Sequence, residues 1–121
     1  MKAYRKYFIV GSILWSLFIL SLTVVPSDEL PRVSIGNLDK VVHFTLFFGF
    51  GFLVSGAVSD GRQWRYYLIT LLLTVFYGFT VEWLQQFIPG RSVDIMDMLS
   101  NFLGAVSGLV LYGILDKKIA S

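Results

Sequence analysis

The sequence predicts an all-α protein, an integral membrane bundle of four transmembrane helices, and three observations carry that expectation. Of its 121 residues, 55% are hydrophobic and only 15% charged, against about 25% charged in a soluble domain. Mean hydropathy is +0.70. The apolar residues fall into four runs, each close to the ~20 residues that a helix needs to cross a bilayer. This composition excludes a disordered chain and a soluble nucleic-acid module. Ten Lys and Arg against eight Asp and Glu give a net charge of +2, too little for a basic stripe that would hold nucleic acid. The length fits a single domain, 1–121. With no cysteine, disulfides and thiolate metal sites are excluded.

Span 1 runs over about 8–25 (FIVGSILWSLFILSLTVV) and carries no charge. Its basic start (Lys2, Arg5, Lys6) resembles that of a signal peptide. The apolar run exceeds the roughly 7–15 residues of a signal core, and no small-residue cleavage site follows. Pro26 stops the helix, so a retained anchor is expected. Span 2 covers about 40–59 and holds Phe44, Phe47, Phe48, Phe50 and Phe52, suited to lipid contact or core packing. Span 3 covers about 66–88 and ends at a Pro89-Gly90 turn. Trp64, Tyr66 and Tyr67 at its start suit an interfacial belt, as does Trp15 by type, although Trp15 falls in mid-span. Span 4 covers about 95–115 and contains the GxxxG pair Gly104 and Gly108, which lets another helix approach closely. No internal repeat or low-complexity tract is visible.

Orientation follows from the Lys and Arg of the short connections. With the N-terminus inside, Lys2, Arg5, Lys6, Arg62, Arg65, Lys117 and Lys118 are cytoplasmic, and Arg32, Lys40 and Arg91 are outside. Both termini are therefore expected in the cytoplasm.

That topology sends the polar residues of three segments to the outer face. Asp39, Lys40 and His43 open span 2, Glu82, Gln85 and Gln86 close span 3, and Arg91, Asp94, Asp97 and Asn101 lead into span 4. Residues three or four apart share a helix face. Asp39 with His43, Glu82 with Gln85 and Gln86, and Asp94 with Asp97 and Asn101 are such sets, the last continuing through Gly104 and Gly108. Glu82 and Asn101 are expected about six residues inside their spans, roughly 9 Å deep at 1.5 Å per residue. A carboxylate at that depth is tolerated when it is paired, hydrogen-bonded or open to a wet cavity. Lys40, His43 and Arg91 are its nearest cations. The N-termini of spans 2 and 4 add partial positive charge at the same face. With Lys40 and Arg91 they could hold an anion such as a phosphate, and the planar fork of Arg suits an oxyanion.

Simpler roles exist for single residues. Asp39, Asp94 and Asp97 suit helix caps, His43 suits a hydrogen-bonded packing role, and Gln85 and Gln86 suit the membrane interface. A lone histidine is a weak metal signal, so no metal and no cofactor are expected. These roles do not account for Glu82 inside a span together with Arg91, Asp97 and Asn101, because intramembrane ionisable groups are candidates for function.

The segment Asp39-Lys40-Val41-Val42-His43-Phe44 resembles the D-K-x-x-H-F signature of the VanZ-like family. The series Glu82, Gln85, Pro89, Arg91, Asp97, Asn101 and Gly104 resembles its E-x-x-Q-x-x-x-P-x-R-x-x-x-x-x-D-x-x-x-N-x-x-G run. The likeness extends from about Phe8 to Leu115 and departs at no motif position. It implies a small multi-pass membrane protein of the bacterial envelope, whose family namesake is associated with low-level resistance to the glycopeptide teicoplanin. It supplies no reaction.

The function expected is binding of an anionic membrane lipid or lipid-linked cell-wall precursor at an outward-facing site. The ligand-binding candidates are Asp39, Lys40, His43, Glu82, Gln85, Arg91, Asp94, Asp97 and Asn101. An alternative is a membrane-embedded enzyme acting on such a lipid, with Asp97 or Glu82 as general base and His43 as acid, base or metal ligand. No H-E-x-x-H, nucleophile elbow or phosphate-binding glycine loop supports it. A further alternative is a structural or transport accessory, with a helix-mediated homo-oligomer formed through the GxxxG.

Overall fold

The computed structural model describes residues 4–24, 38–59, 62–88 and 95–120. They form four helices, α1 (Arg5–Val24), α2 (Leu38–Val58), α3 (Gln63–Gln85) and α4 (Ile95–Ala120). Each contains a segment long and apolar enough to cross a membrane. The apolar runs set where helices form, but the helical hydrogen bonding does not stop at the last apolar residue. Thus α4 continues to Ala120, past the expected end of its span.

At the end of α3 the helix is shorter than expected. It closes at Gln85, and Phe87 and Ile88 donate their N–H groups to Leu84 O and Gln85 O at 3.1 Å, a tighter turn than the helix. Pro89 follows, and the residue before a proline is disfavoured in helical conformation. Glu82 therefore lies in the last turn of α3, about one turn nearer the helix end than the sequence suggested.

Side-chain contacts give the helix directions. Arg5 Nε donates to Ala57 O at 2.9 Å and Trp15 Nε1 to Leu46 O at 2.7 Å, so α1 and α2 are antiparallel. The Tyr66 ring meets Tyr112 edge-on at 5.6 Å, and Gly78 lies against Asn101, so α3 and α4 are antiparallel. Between α2 and α4 the order is parallel. A side chain added at Gly104 would collide with Phe44 O, and one added at Gly108 with Phe48 O. The polar-end residues of α2 and α4 consequently lie at the same end of the bundle as the C-terminus of α3.

Packing of α2 on α4 is the tightest in the chain, and small residues make it so. Gly51 faces the Ala105 backbone while Gly104 and Gly108 face the α2 backbone. In lipid there is little hydrophobic drive between helices, so close van der Waals approach carries association. The GxxxG thus serves a contact inside the chain.

The core divides in two. One cluster holds Ile19, Phe47, Phe50, Val54, Val81 and Ala105, and the other Tyr66, Leu109 and Tyr112. Of the phenylalanines of α2, Phe47 and Phe50 are buried and Phe44 is exposed. Trp15 and Tyr66 are not interfacial in the way expected. Trp15 is half-buried with its N–H spent on α2, and Tyr66 is buried, whereas Trp64 is exposed. Tyr77 ties α3 to α1 by donating to Ser16 O. Leu14, Leu17, Leu72, Phe76, Phe79 and Leu103 are exposed, an apolar exterior suited to acyl chains.

Candidate functional site

The polar residues of three helices meet at the end of the bundle where α2 and α4 begin. His43 stands in the second turn of α2, Glu82 and Gln85 in the last turn of α3, Asp97 in the first turn of α4 and Asn101 one turn further. All five are buried, Glu82 completely. The i, i+4 spacing of Asp97 and Asn101 places both on the α4 face that meets α2, because Gly104 and Gly108 extend the same face.

His43 is the centre. Its Nδ1 lies 3.0 Å from Asn101 Oδ1, within hydrogen-bond distance, and 4.0 Å from Glu82 Oε1. Its Nε2 lies 3.5 Å from Asp97 Oδ2 on the other side of the ring. One ligand atom each from His43, Glu82 and Asp97 lies within 4.8 Å of the others. The arrangement concentrates two carboxylates, an imidazole and a carboxamide in a space shielded from solvent. Such groups can hold a cation, bind and release protons, or orient a polar ligand. Asn101 Nδ2 is buried and has no hydrogen-bond partner among the described residues.

A groove opens beside this cluster between α3 and α4. It has a volume of about 480 Å³ and is almost wholly apolar, lined by Val75, Gly78, Phe79, Leu99, Asn101 and Phe102 among others. Asn101 belongs to both features, so the groove adjoins the polar cluster.

Of the nine ligand-binding candidates, the structure brings His43, Glu82, Asp97 and Asn101 together and buries Gln85 in the same turn as Glu82. Lys40 is half-buried in the first turn of α2. The side chain of Asp39, and Arg91 and Asp94 altogether, lie outside the described residues. So does the Pro89-Gly90 turn. Gln86 is exposed. The sequence reading did not anticipate the groove. Its signal was Gly78 within the aromatic run Phe76-Tyr77-Gly78-Phe79, a gap where a side chain would otherwise fill the helix surface.

Known proteins resemble this chain over nearly its whole length. An uncharacterised protein of the fission yeast Schizosaccharomyces pombe is 25% identical over 118 residues, which are 98% of this chain and 73% of that protein. No solved structure gives a significant match. The VanZ/LLP1 family model matches residues 3–116, the part that contains α1 to α3, most of α4 and every residue of the polar cluster, and the chain belongs to the VanZ-like family.

Proposed function

We propose that this chain is a membrane protein that binds an anionic amphiphile, a lipid phosphate or lipid-linked envelope precursor. The headgroup would lie at the polar cluster and an acyl or prenyl chain in the α3–α4 groove. The observation that carries this reading is the continuity of the two features at Asn101. A lipid needs both a dry channel and a polar terminus, and a substrate confined to the bilayer reaches such a site laterally. Lys40 and the N-termini of α2 and α4 supply positive character at that end, and the sequence adds Arg91 between α3 and α4. Asn101 Nδ2, a buried donor of a residue that lines the groove, suits an acceptor oxygen of the headgroup. The excess of Lys and Arg at the opposite end supports a site under the extracytoplasmic leaflet. An influence on glycopeptide susceptibility would then be indirect, through the composition of the surface.

Native mass spectrometry of the purified chain with a polyprenyl phosphate, the uncharged polyprenol and inorganic phosphate tests this. The expected result is retention of the polyprenyl phosphate alone, weakened at least tenfold by Leu99→Trp, which fills the groove, and by Arg91→Ala. Equal retention of the polyprenol, or no effect of either substitution, contradicts the reading.

A second reading, an enzyme acting on such a lipid, draws on His43 standing between Asp97 and Asn101, an imidazole hydrogen-bonded at Nδ1 with a carboxylate 3.5 Å from Nε2. Turnover of a lipid phosphate that survives both Asp97→Asn and His43→Ala removes it.

A further inference from the structure

We infer that His43, Glu82 and Asp97 form a binding site for one divalent transition-metal ion, with its remaining coordination positions turned toward the α3–α4 groove. The site stands without the lipid reading, and it departs from the expectation of no metal. That expectation rested on His43 being the sole histidine of the sequence. The fold adds two carboxylates to it from two other helices.

The geometry is that of ligands around a small cation. With the amide oxygen of Asn101 toward the ring, His43 Nδ1 must carry the proton, because Oδ1 only accepts. In its metal-binding, neutral form the ring would turn its Nε2 lone pair to Asp97 Oδ2, 3.5 Å away. That is long for an N–H···O bond and brings two electron-pair donors face to face. Two ligands at zinc-type bond lengths around a tetrahedral ion sit about 3.4 Å apart, so the pair is spaced as neighbours in one coordination sphere. One ligand atom each of His43, Glu82 and Asp97 lies within 4.8 Å of the others, Glu82 Oε1 coming in from the Nδ1 edge of the ring at 4.0 Å. Asn101 takes the role of a supporting group, fixing the tautomer and the ring orientation through the nitrogen that does not bind the ion. One imidazole with two carboxylates suits zinc or manganese better than calcium or magnesium, which prefer oxygen alone.

The second observation is Asn101 Nδ2. It is buried, lacks a hydrogen-bond partner among the described residues and belongs to a residue that lines the groove. A donor there serves an oxygen ligand of the ion that comes from outside the protein: water, free phosphate or a lipid phosphate. The charge balance agrees. Two buried carboxylates repel an anion, whereas a divalent ion between them neutralises their charge and offers an anion a direct ligand position.

The test uses the intact, metal-stripped chain in detergent micelles, titrated with Mn2+ under electron paramagnetic resonance. One ion is expected per chain, with a nitrogen coupling in its pulsed spectrum from His43, and displacement by Zn2+. His43→Ala should abolish the nitrogen coupling, and Asp97→Asn or Glu82→Gln should weaken binding at least tenfold, with helix content by circular dichroism confirming that each variant folds. Wild-type chain that binds no Mn2+, or binds it without nitrogen coupling, overturns the site whatever the variants do. Polyprenyl phosphate retention in the same samples separates the two proposals. Ion without lipid contradicts the lipid reading alone, and lipid without ion contradicts the metal site alone.

Discussion

His43 and Asn101 meet from positions 58 residues apart, and their hydrogen bond at 3.0 Å decides which face the imidazole turns to Asp97. Replacing Asn101 by leucine leaves the volume filled and removes the acceptor. A buried donor left unsatisfied costs about 1–3 kcal/mol, so Asn101→Leu should lower unfolding stability in detergent by that amount. Asn101→Asp, which restores an acceptor, should recover part of it. Equal stability of Asn101→Leu and wild type would show that the bond is not formed. The spacing of Asp97 and Asn101 made their common face legible in sequence, and helix direction put Glu82 at the same end. The sequence did not disclose that His43 would stand between Asp97 and Asn101, because a one-helix pattern says nothing of which side chain on a neighbouring helix it meets.

Between helices, glycine sets the distance. At Gly104 and Gly108 an added Cβ would strike backbone oxygens of α2, which cannot rotate away as a side chain could. Overpacking of this kind costs about 1–3 kcal/mol, and Gly108→Ala should destabilise the chain within that range in a detergent unfolding assay. Gly78 gives the contrast. Its added Cβ would meet Phe47 Cε2 at 3.5 Å and Asn101 Cβ at 3.9 Å, which is ordinary contact. Gly78→Ala should be neutral or stabilising by up to about 1 kcal/mol through helix propensity. If both substitutions behave alike, the α2–α4 backbones are not in contact. The GxxxG pair was legible as a packing site, but its partner was not: the same four-residue repeat serves contacts within and between chains. Trp15 shows a different limit. Its type pointed to the membrane interface, while its position in mid-span pointed away, and the Leu46 carbonyl resolves the conflict by accepting its N–H. The early end of α3 was written in Pro89, whose effect on the preceding turn outweighs the apolar Phe87 and Ile88.

At the scale of the molecule, hydropathy and length defined the four-helix bundle before any packing was known, because only helices satisfy a backbone in lipid without partners. The alternation of direction followed from short connections. Sidedness rests on the charges alone. In a chain with no cysteine, single substitutions Ser34→Cys, Ser59→Cys and Ser92→Cys make it measurable. A membrane-impermeant maleimide added to intact cells should label the first and third, and reach the second only after permeabilisation. The opposite pattern would put the polar end in the cytoplasm and redirect the search for its ligand to that leaflet.

The account depends on α2, α3 and α4 delivering His43, Glu82 and Asp97 to one place, and a cysteine cross-linking measurement in native membranes addresses that directly. The pairs His43→Cys with Asp97→Cys and Glu82→Cys with Asp97→Cys are treated with a bismaleimide of two-carbon spacer and read by intact mass, with Val42→Cys and Asp97→Cys as control, since Val42 is exposed beside His43. Both test pairs should gain one reagent bridging two thiols, and the control should gain two singly attached reagents. Absence of the bridge in both test pairs, or a bridge formed equally in the control, would contradict a shared pocket.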